Sequence, residues 1–489
     1  MRRLGDRLVR LADDQRILTA EECEAIARRV IGFAQGEGET RVELLSWWQG
    51  ELRWARNRVS LATDRRTVQL RVLRGPRGRS ADMGGGLATT NQLDDISLES
   101  VVRAAERNGR IARERSGAWL PGLSFTPPHP EMTYPPTAIW SDATYSFTGE
   151  RRGEVARAMV EDAEARGMLS AGYLEARAAQ LAEYTSEREP IVEVRPYVKW
   201  TQAQCSTTVR DSRGAGSGWA GLSSYDWAKI DAHALAALAL EKCKASQNPL
   251  ALEPGRYTVI LEPQAVADLV EILVPSFSAF SRRAAELVGQ GPFVLGFDDA
   301  LRLWRSKLGL KVADERITIS HEPVDPELGI LPTANMQPLK WIDRGVLTAL
   351  EHDRDYALKT LNENAARRSL TGYRMSGGES SVEEMVRTTR RGLLVTRFSN
   401  IRRLDDNSLV STGLTRDGLW LIENGKITKA VKNFRFTESP LFVLNSIEQL
   451  GVPVPVFRPT RGEGKELTPA IVPALKVRDF SFTSTIDAI

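Results

Sequence analysis

The sequence has 489 residues, of which 42% are hydrophobic and 26% are charged. A chain of this length buries a sizeable core and favours two or three domains or one large intertwined one. No apolar run approaches the roughly 18 residues that a membrane helix needs, and charges interrupt the apolar pairs of the opening MRRLGDRLVRLADDQR, so no export signal is predicted. The three cysteines are scattered without C-x-x-C spacing, which argues against disulfides and a cysteine-based zinc site. We therefore expect a soluble, cytoplasmic protein.

Basic and acidic residues nearly balance, at 66 and 63, which gives a net charge of +3. Nucleic-acid binding draws its affinity from counterion release at many phosphates and needs clustered basic side chains. Arginines are densest in residues 65–79 and 388–403, where solvated or ion-paired strand positions account for them. Binding to nucleic acid is therefore not expected.

The first predicted elements alternate helix and strand. TAEECEAIARRVIGFAQG opens with a capping box from Thr19 to Glu22 and predicts a helix. VELLSWWQGELRWARN predicts two strands joined by a turn at Gln49-Gly50, and TVQLRVLRG predicts a third strand. Another helix is predicted to start near Ser97. This order indicates an α+β fold.

Residues 116–139 hold six prolines and are predicted to be an extended wrapping segment or linker. RRGEVARAMVEDAEARGM predicts a helix, and two long antiparallel strands follow it. SSYDWAKIDAHALAALALEKCKAS predicts a helix that ends at residue 246, where the breaker NPLALEPG begins. We therefore predict an amino-terminal α+β domain over 1–246 and a carboxyl-terminal domain over 247–489.

The second domain is predicted to be rich in strands. It opens with YTVIL, an apolar β-branched strand that leads through a Glu-Pro step into a helix with an apolar face. Short runs rich in β-branched and aromatic residues follow, with turns predicted at 343–345, 417–418 and 423–425. The whole chain is thus predicted to be α+β, with meandering antiparallel strands and flanking helices first and a β-rich sheet or barrel-like domain after them.

The search for a catalytic site is short because the chain has four histidines. His321-Glu322 resembles the start of a zinc-protease motif, but Pro323 follows at once and no second histidine stands at helical spacing. His352 is flanked by carboxylates, among them Asp353; a surface ion-pair cluster is the default interpretation and a pocket role is the alternative. No nucleophile elbow, P-loop or dinucleotide fingerprint is present. The residues by themselves indicate no self-sufficient active site.

Several stretches resemble the TldD/PmbA family, in matching order from about residue 20 to the carboxyl end. They include PGRYTVILEPQAVADLVEIL, GVLTALEHDRDYALK and VPALKVRDFSF, and the most specific is STGLTRDGLWLIENGKITKAVKNFRF. TldD chains of this family carry HExxxH on the helix after the YTVIL-like strand, and a late cysteine completes their zinc site. PmbA chains, also called TldE, lack these residues and pair with TldD to form the protease.

The resemblance implies that this chain belongs to the PmbA/TldE-like branch without a metal site. Laid on HExxxH, the helix places Glu271 and Ser276 at the histidine positions and Ile272 at the glutamate position, and no cysteine follows Cys243. A zinc hydrolase needs several ligands around the metal and a general base beside it. We therefore expect no catalytic group, metal or cofactor in this chain and zinc in its partner.

The function implied is that of a non-catalytic subunit of a TldD/TldE-type metallopeptidase, paired with an HExxxH-bearing TldD-like chain. It would act on unfolded or small peptides, with peptide natural-product maturation as one variant, and an extended peptide would dock on strand edges. In the shared cavity, arginines would clamp a peptide carboxylate, with inter-strand ion pairs as the alternative. The candidate cavity residues are Arg397, Arg402, Arg416, Asp417, His352 and Asp353. Two other functions stay open: a homodimeric peptide-binding or gyrase-modulating protein, and a metal-independent hydrolase that uses His352 and Asp353.

Overall fold

The computed structural model describes residues 17–75, 85–114, 139–186, 192–212, 216–277, 294–298, 303–322, 325, 327–328, 338–352, 372–458 and 469–486. Of the predicted proline-rich segment 116–139, only Ile139 lies within these residues. Across the described ranges, no helix combines the length and the apolar composition that crossing a membrane requires.

The amino-terminal half is built on one antiparallel sheet. Its strands are β1 (Glu39–Ala55), β2 (Arg58–Gly75), β3 (Gly86–Thr90), β4 (Met168–Thr185), β5 (Val192–Asp211) and β6 (Ser217–Ser224). Its helices are α1 (Ala20–Phe33), α2 (Asp95–Glu114), α3 (Asp142–Tyr145), α4 (Gly149–Glu164) and α5 (Ala232–Ala245). The six strands lie in the order β3-β2-β1-β4-β5-β6. The predicted α+β class is confirmed here.

Helices cover one face of this sheet. Helix α1 starts with the predicted capping box, since the N–H of Glu22 donates to Oγ1 of Thr19 at 3.2 Å and the N–H of Thr19 donates to the Glu22 carboxylate at 2.9 Å. The apolar sides of α1 and α2 pack on one end of the sheet, and those of α4 and α5 pack on the other. On β1 the residues that meet them alternate along the strand, as Val42 and Trp48 do, so all four helices lie on the same face.

One long strand stands where the sequence predicted two strands and a turn at Gln49-Gly50, so that prediction was wrong. Strand β1 runs through both residues, and the hairpin to β2 turns at Arg56 and Asn57, whose φ angles are 50° and 65°. Gly50 serves a different purpose. A Cβ at this position would lie 2.3 Å from Nη1 of the buried Arg152, so the glycine admits an arginine side chain against the sheet.

Where the structure describes it, the carboxyl-terminal half has three helices and most of the strands. The helices are α6 (Pro263–Leu273), α7 (Val382–Arg387) and α8 (Pro440–Val443). The longer strands are β7 (Gly255–Leu261), β14 (Arg391–Arg403), β15 (Ser411–Glu423), β16 (Lys426–Ala430), β17 (Phe434–Glu438) and β21 (Leu475–Thr485). The shorter strands are β8 (Val294–Asp298), β9 (Leu303–Ser306), β10 (Ile319–His321), β11 (Leu339–Asp343), β12 (Val346–Leu347), β13 (Tyr373–Met375), β18 (Ile447–Leu450), β19 (Val454–Pro455) and β20 (Ala470–Val472).

Five of the longer strands close into a barrel-like ring. Strand β14 pairs with β7 and β15, β15 pairs with β17, β17 pairs with β21, and β21 returns to β7. Phenylalanine side chains fill the interior and contact one another. A second sheet has the order β12-β11-β10-β13-β20-β19. The prediction of a β-rich, barrel-like second half is confirmed.

Helix α6 lies between the barrel and the second sheet. Its buried side chains share one core cluster with barrel residues such as Leu393 and with Ile319, Trp341 and Tyr373 of the second sheet. A short 3-10 turn, Val274–Phe277, continues from its end. This position makes α6 the central element of the carboxyl-terminal half.

Two of the three predicted turns join strands, and the third prediction was wrong. The chain turns at 344–345 and 424–425 with positive φ at both residues, which a tight hairpin between right-twisted strands requires. Asp417 and Gly418 lie inside β15, where these two residues stand opposite Thr396 of β14 alone. They form a β-bulge, which keeps the strand continuous while bending it.

The two halves touch along a seam. Nε1 of Trp420 on β15 donates to the carbonyl of Ala245 at 3.3 Å, and Nζ of Lys242 on α5 donates to the carboxylate of Glu262 at 2.5 Å. The division into domains 1–246 and 247–489 falls between α5 and β7 and stays a prediction.

Candidate functional site

Helix α6 combines an apolar body with one polar stripe. It begins directly after β7, because Pro263 at its first position fixes a helical φ and lacks an N–H that would need a partner. Gln264, Asp268 and Glu271 follow at i, i+4 and i+7, so their side chains lie on one face. That face meets β14 and residues 457–458. It is the helix on which the resemblance places the family's metal motif.

Asp268 stands in the middle of the stripe. Its Oδ2 accepts the N–H of Phe398 on β14 at 2.9 Å, and its Oδ1 accepts Nε2 of Gln264 at 3.0 Å. Although part of the side chain touches solvent, burial among dense neighbours raises the pKa of Asp268 to about 6, against the opposing effect of these hydrogen bonds and of Arg397 and Arg458. The side chain of Asp268 therefore links α6 to the barrel by a hydrogen bond, although burial makes its charged form less stable.

Glu271 forms an ion pair with Arg458. Nη1 of Arg458 donates to Oε2 of Glu271 at 2.8 Å, and Arg458 is 6% exposed. Burial opposes the charge of this guanidinium, but the neighbouring Tyr373, Glu271 and Asp268 together hold its pKa above the ordinary value. The backbone N–H of Arg458 also donates to Oγ of Ser223 on β6 at 2.9 Å. One arginine thus joins α6 to the sheet of the amino-terminal half.

The three motif positions do not fit a zinc site. Glu271 is engaged by a guanidinium, which repels a second cation. Ile272 is a hydrocarbon side chain packed against the core, and Oγ of Ser276 in the 3-10 turn is buried without a hydrogen-bond partner. Zinc needs three or four nitrogen, sulfur or oxygen ligands around one point. Within the described ranges, no three His, Cys, Asp or Glu side chains gather in that way.

Three of the predicted cavity residues meet at the seam. Nε of Arg397 donates to Oδ2 of Asp417 at 2.8 Å, and Nε of Arg416 lies 3.8 Å from the same oxygen. Asp417, which is 1% exposed, also accepts the hydroxyl of Ser217 on β6. The guanidinium of Arg397 lies over the ring of Trp219, which is also on β6, at 4.6 Å from the ring centre. Arg397 and Asp417 therefore form an ion pair that links the barrel to the first sheet.

The remaining predicted residues do not join this pair. Arg402 is exposed on β14, opposite Thr412 of β15. His352 is buried beside the end of α6, since the N–H of the preceding residue, Glu351, donates to the carbonyl of Phe277 at 2.7 Å. Asp353 lies outside the described residues. The cluster of His352 with Asp353 thus stays a prediction.

His321, the start of the broken zinc-protease motif, lies on strand β10 rather than on a helix. Its Nδ1 is 3.0 Å from the carbonyl oxygen of Gly372, so Nδ1 carries the proton and Nε2 the lone pair. Burial lowers the pKa of His321 and keeps the ring neutral.

Sequence reasoning missed Arg458 and Gln264. Arg458 lies 187 residues after Glu271, in a proline-flanked segment with no periodicity. One signal was available: polar side chains at i, i+4 and i+7 on an otherwise apolar buried helix need hydrogen-bonding or charged partners. That signal predicts a partner without saying where in the chain it lies.

The comparisons with known proteins give one family model and one shared fold. Residues 254–484, nearly half of the chain, match the model of the PmbA/TldA metallopeptidase C-terminal domain. Comparison with curated proteins gives no match. TldE from Thermococcus kodakarensis is similar in structure, with a TM-score of 0.72, 16% identity and coverage of 95% of this chain and 100% of that chain.

Two further structures show the same fold. A proposed modulator of DNA gyrase from Thermotoga maritima has a TM-score of 0.71 at 17% identity and covers 94% of this chain and 100% of its own. A second, from Bacteroides thetaiotaomicron, has a TM-score of 0.71 at 18% identity, with coverage of 95% and 99%. At these identities the likeness is one of fold. Residues 254–484, which span α6 and the barrel, are therefore identified as a PmbA/TldA metallopeptidase C-terminal domain, and the chain as a whole shares the fold of the TldE structure.

Proposed function

We propose that this chain is the subunit without a metal site in a TldD/TldE-type metallopeptidase complex. A TldD-like partner that carries HExxxH would hold the zinc and supply the catalytic groups. This chain would complete the enclosure around unfolded or small peptides. Turnover of such peptides in general and maturation of a dedicated peptide product both fit this role.

The observation that carries the proposal is the ion pair between Glu271 and Arg458. It stands on the helix that follows β7, where the resemblance places the first histidine of the metal motif. A carboxylate already bound to a guanidinium neither binds a metal tightly nor acts as a general base, because its lone pairs and its charge are engaged. Catalysis by a metal must then come from another chain.

The test is reconstitution. The chain would be co-expressed with a HExxxH-bearing family member from the same source, and the complex would be isolated through a tag on the partner. We expect co-purification, cleavage of an unfolded protein such as reduced casein by the mixture, and loss of cleavage with a chelator. This chain alone should be inactive. A partner in which the HExxxH glutamate is replaced by glutamine should still bind but not cleave.

The variant His352→Gln separates this proposal from a metal-independent hydrolase. The complex with His352→Gln should cleave normally, provided that its melting temperature matches that of the parent. If the isolated chain cleaves peptides in the presence of chelator and His352→Gln abolishes that activity, the hydrolase replaces the subunit model. Recovery of a homodimer alone, without cleavage in any mixture, would favour a peptide-binding or gyrase-modulating protein.

A further inference from the structure

The outer wall of the barrel carries two exposed arginines, Arg402 and Arg435, beside Arg416, which lies at the edge of the Arg397–Asp417 pair. Phe398 and Phe436 point into the barrel, so the alternating residues of the same strands point outward. The register sets Arg402 opposite Thr412, Ser399 opposite Leu414, and Leu414 opposite Arg435. These outward residues form what we call the outer arginine face: Ser399, Arg402, Thr412, Leu414, Arg416 and Arg435.

The spacing of this face lets its guanidinium groups reach one point. Residues directly opposite on paired strands have Cβ atoms about 5 Å apart, and diagonal neighbours lie about 7–8 Å apart. Arg435 stands opposite Leu414 and therefore diagonal to Arg416, while Arg402 lies one row away on the other side of Ser399. Arginine side chains are long enough to span such distances. In the strand register, three arginines thus flank Leu414 and Ser399.

Donors on this face lack acceptors. Oγ of Ser399 and Nε of Arg416 are buried atoms with no hydrogen-bond partner, and 3.8 Å separates the latter from Asp417, which is too long for a hydrogen bond. Arg402 and Arg435 are exposed and make no ion pair with any residue that the structure describes. The guanidinium of Arg435 donates one long hydrogen bond, at 3.5 Å, to the hydroxyl of Thr412. Buried donors without acceptors are costly, so the face is suited to an incoming anion.

We propose that the outer arginine face binds a carboxylate, supplied by the carboxyl terminus of a peptide. A carboxylate is planar and accepts two parallel hydrogen bonds from a guanidinium, while its remaining lone pairs accept from a hydroxyl. Leu414, at the centre of the face, offers an apolar contact to the last side chain of the peptide. Three arginines are too few to release the counterions that tight binding to DNA needs. The site lies on this chain alone and goes beyond the proposed pairing.

The experiment compares two peptides that differ only at their end, acetyl-trialanine with a free carboxylate and the same peptide as its amide. Titrated against the full chain by calorimetry or ligand-observed NMR, the acid should bind saturably and more weakly as salt rises. The amide should bind at least tenfold more weakly. Arg402→Gln and Arg435→Gln should each weaken binding about tenfold, the usual effect of one charge-assisted hydrogen bond.

Two further variants control for structure. Ser399→Ala should weaken binding several-fold without lowering the melting temperature, because its hydroxyl has no partner to lose. Arg391→Gln makes the same change at an exposed arginine at the other end of β14 and should leave binding unchanged. Equal binding of acid and amide, or equal losses in Arg391→Gln and Arg435→Gln, would overturn the site. So would a DNA duplex that binds more tightly than the acid and competes with it. The peptide-binding experiment uses this chain alone. Its outcome therefore does not depend on whether the partner co-purifies in the test of the proposed function.

Discussion

Replacing Arg458 by methionine should test whether the Glu271–Arg458 pair supports the fold in the place of a metal site. The substitution keeps the length and the apolar stem of the side chain and removes the guanidinium. It removes the guanidinium that binds Glu271, and it takes a neighbouring positive charge from Asp268. The hydrogen bond from the backbone of residue 458 to Ser223 should remain, since no backbone atom changes.

The expected loss follows from burial. Removing one partner of a buried ion pair costs about 3–5 kcal/mol, because the other charge stays desolvated. The Arg458 side chain is 7% exposed and that of Glu271 is 27% exposed, so the carboxylate of Glu271 regains part of its hydration in the variant. We therefore expect Arg458→Met to lower the free energy of unfolding by about 3 kcal/mol. The double variant Arg458→Met/Glu271→Leu should recover most of the loss, because a well-packed apolar pair of similar volume is often neutral.

The assay is urea denaturation followed by circular dichroism and by tryptophan fluorescence, with the free energy used only where the two transitions coincide. Arg28→Met is the matched control. It breaks an exposed pair with Glu24 on α1 and should cost less than about 0.5 kcal/mol. The reasoning fails if Arg458→Met costs no more than Arg28→Met, or if the double variant is as unstable as Arg458→Met alone.

Three further outcomes are expected. Elemental analysis of the purified, tag-free chain should find no stoichiometric zinc. A value near one zinc per chain would mean that a zinc site exists, formed at least in part by residues that the structure does not describe. The raised pKa of Asp268 means that its folded form holds a proton more tightly than the unfolded chain, so stability should fall by about 1–2 kcal/mol as pH rises from about 4 to 6. Asp268→Asn should flatten that part of the denaturation profile, and an unchanged slope would assign it to other groups. Gly50→Ala should destabilise by about 2–4 kcal/mol by displacing Arg152, whereas Gly153→Ala on α4, with nothing within 4 Å of its Cβ, should be neutral or stabilising.

The sequence errors in the fold share one physical cause. At Gln49-Gly50 and Asp417-Gly418, a polar residue before glycine predicts a turn, although both glycines lie inside long strands. Gly50 leaves room for Arg152, which is distant in sequence, and Gly418, with a φ of 133°, belongs to a bulge. Glycine is favoured both in turns and where another group packs closely against the backbone. Only the pairing of strands that are distant in sequence shows which of the two reasons applies. The hairpin at 424–425 was predictable because a two-residue turn between strands is decided locally.

The candidate site was predictable to the extent that it lies on one element. The helix, its apolar face and the residues Glu271, Ile272 and Ser276 at the motif positions follow from one short stretch of sequence. The partners of the polar stripe do not, because Asp268 reaches Phe398 and Glu271 reaches Arg458 across 130 and 187 residues. The roles of Arg397 and Asp417 likewise depend on β6, which approaches the barrel from the other half of the chain.

The polar stripe on α6 also explains how this helix is held in place without metal ligands at the three motif positions. Segment 456–458 lies between α6 and β6: the N–H of Phe457 donates to Gln264 at 3.1 Å, its ring packs edge-on against Trp219, and Arg458 bonds to Glu271 and to Ser223. An apolar replacement could match the stability of these contacts, but hydrogen bonds with fixed directions also set the rotation of α6 and the position of β6. In the complex that we propose, this chain would need that rigidity, because a displacement of about 1 Å in the wall of the cavity changes which peptides lie within reach of the catalyst.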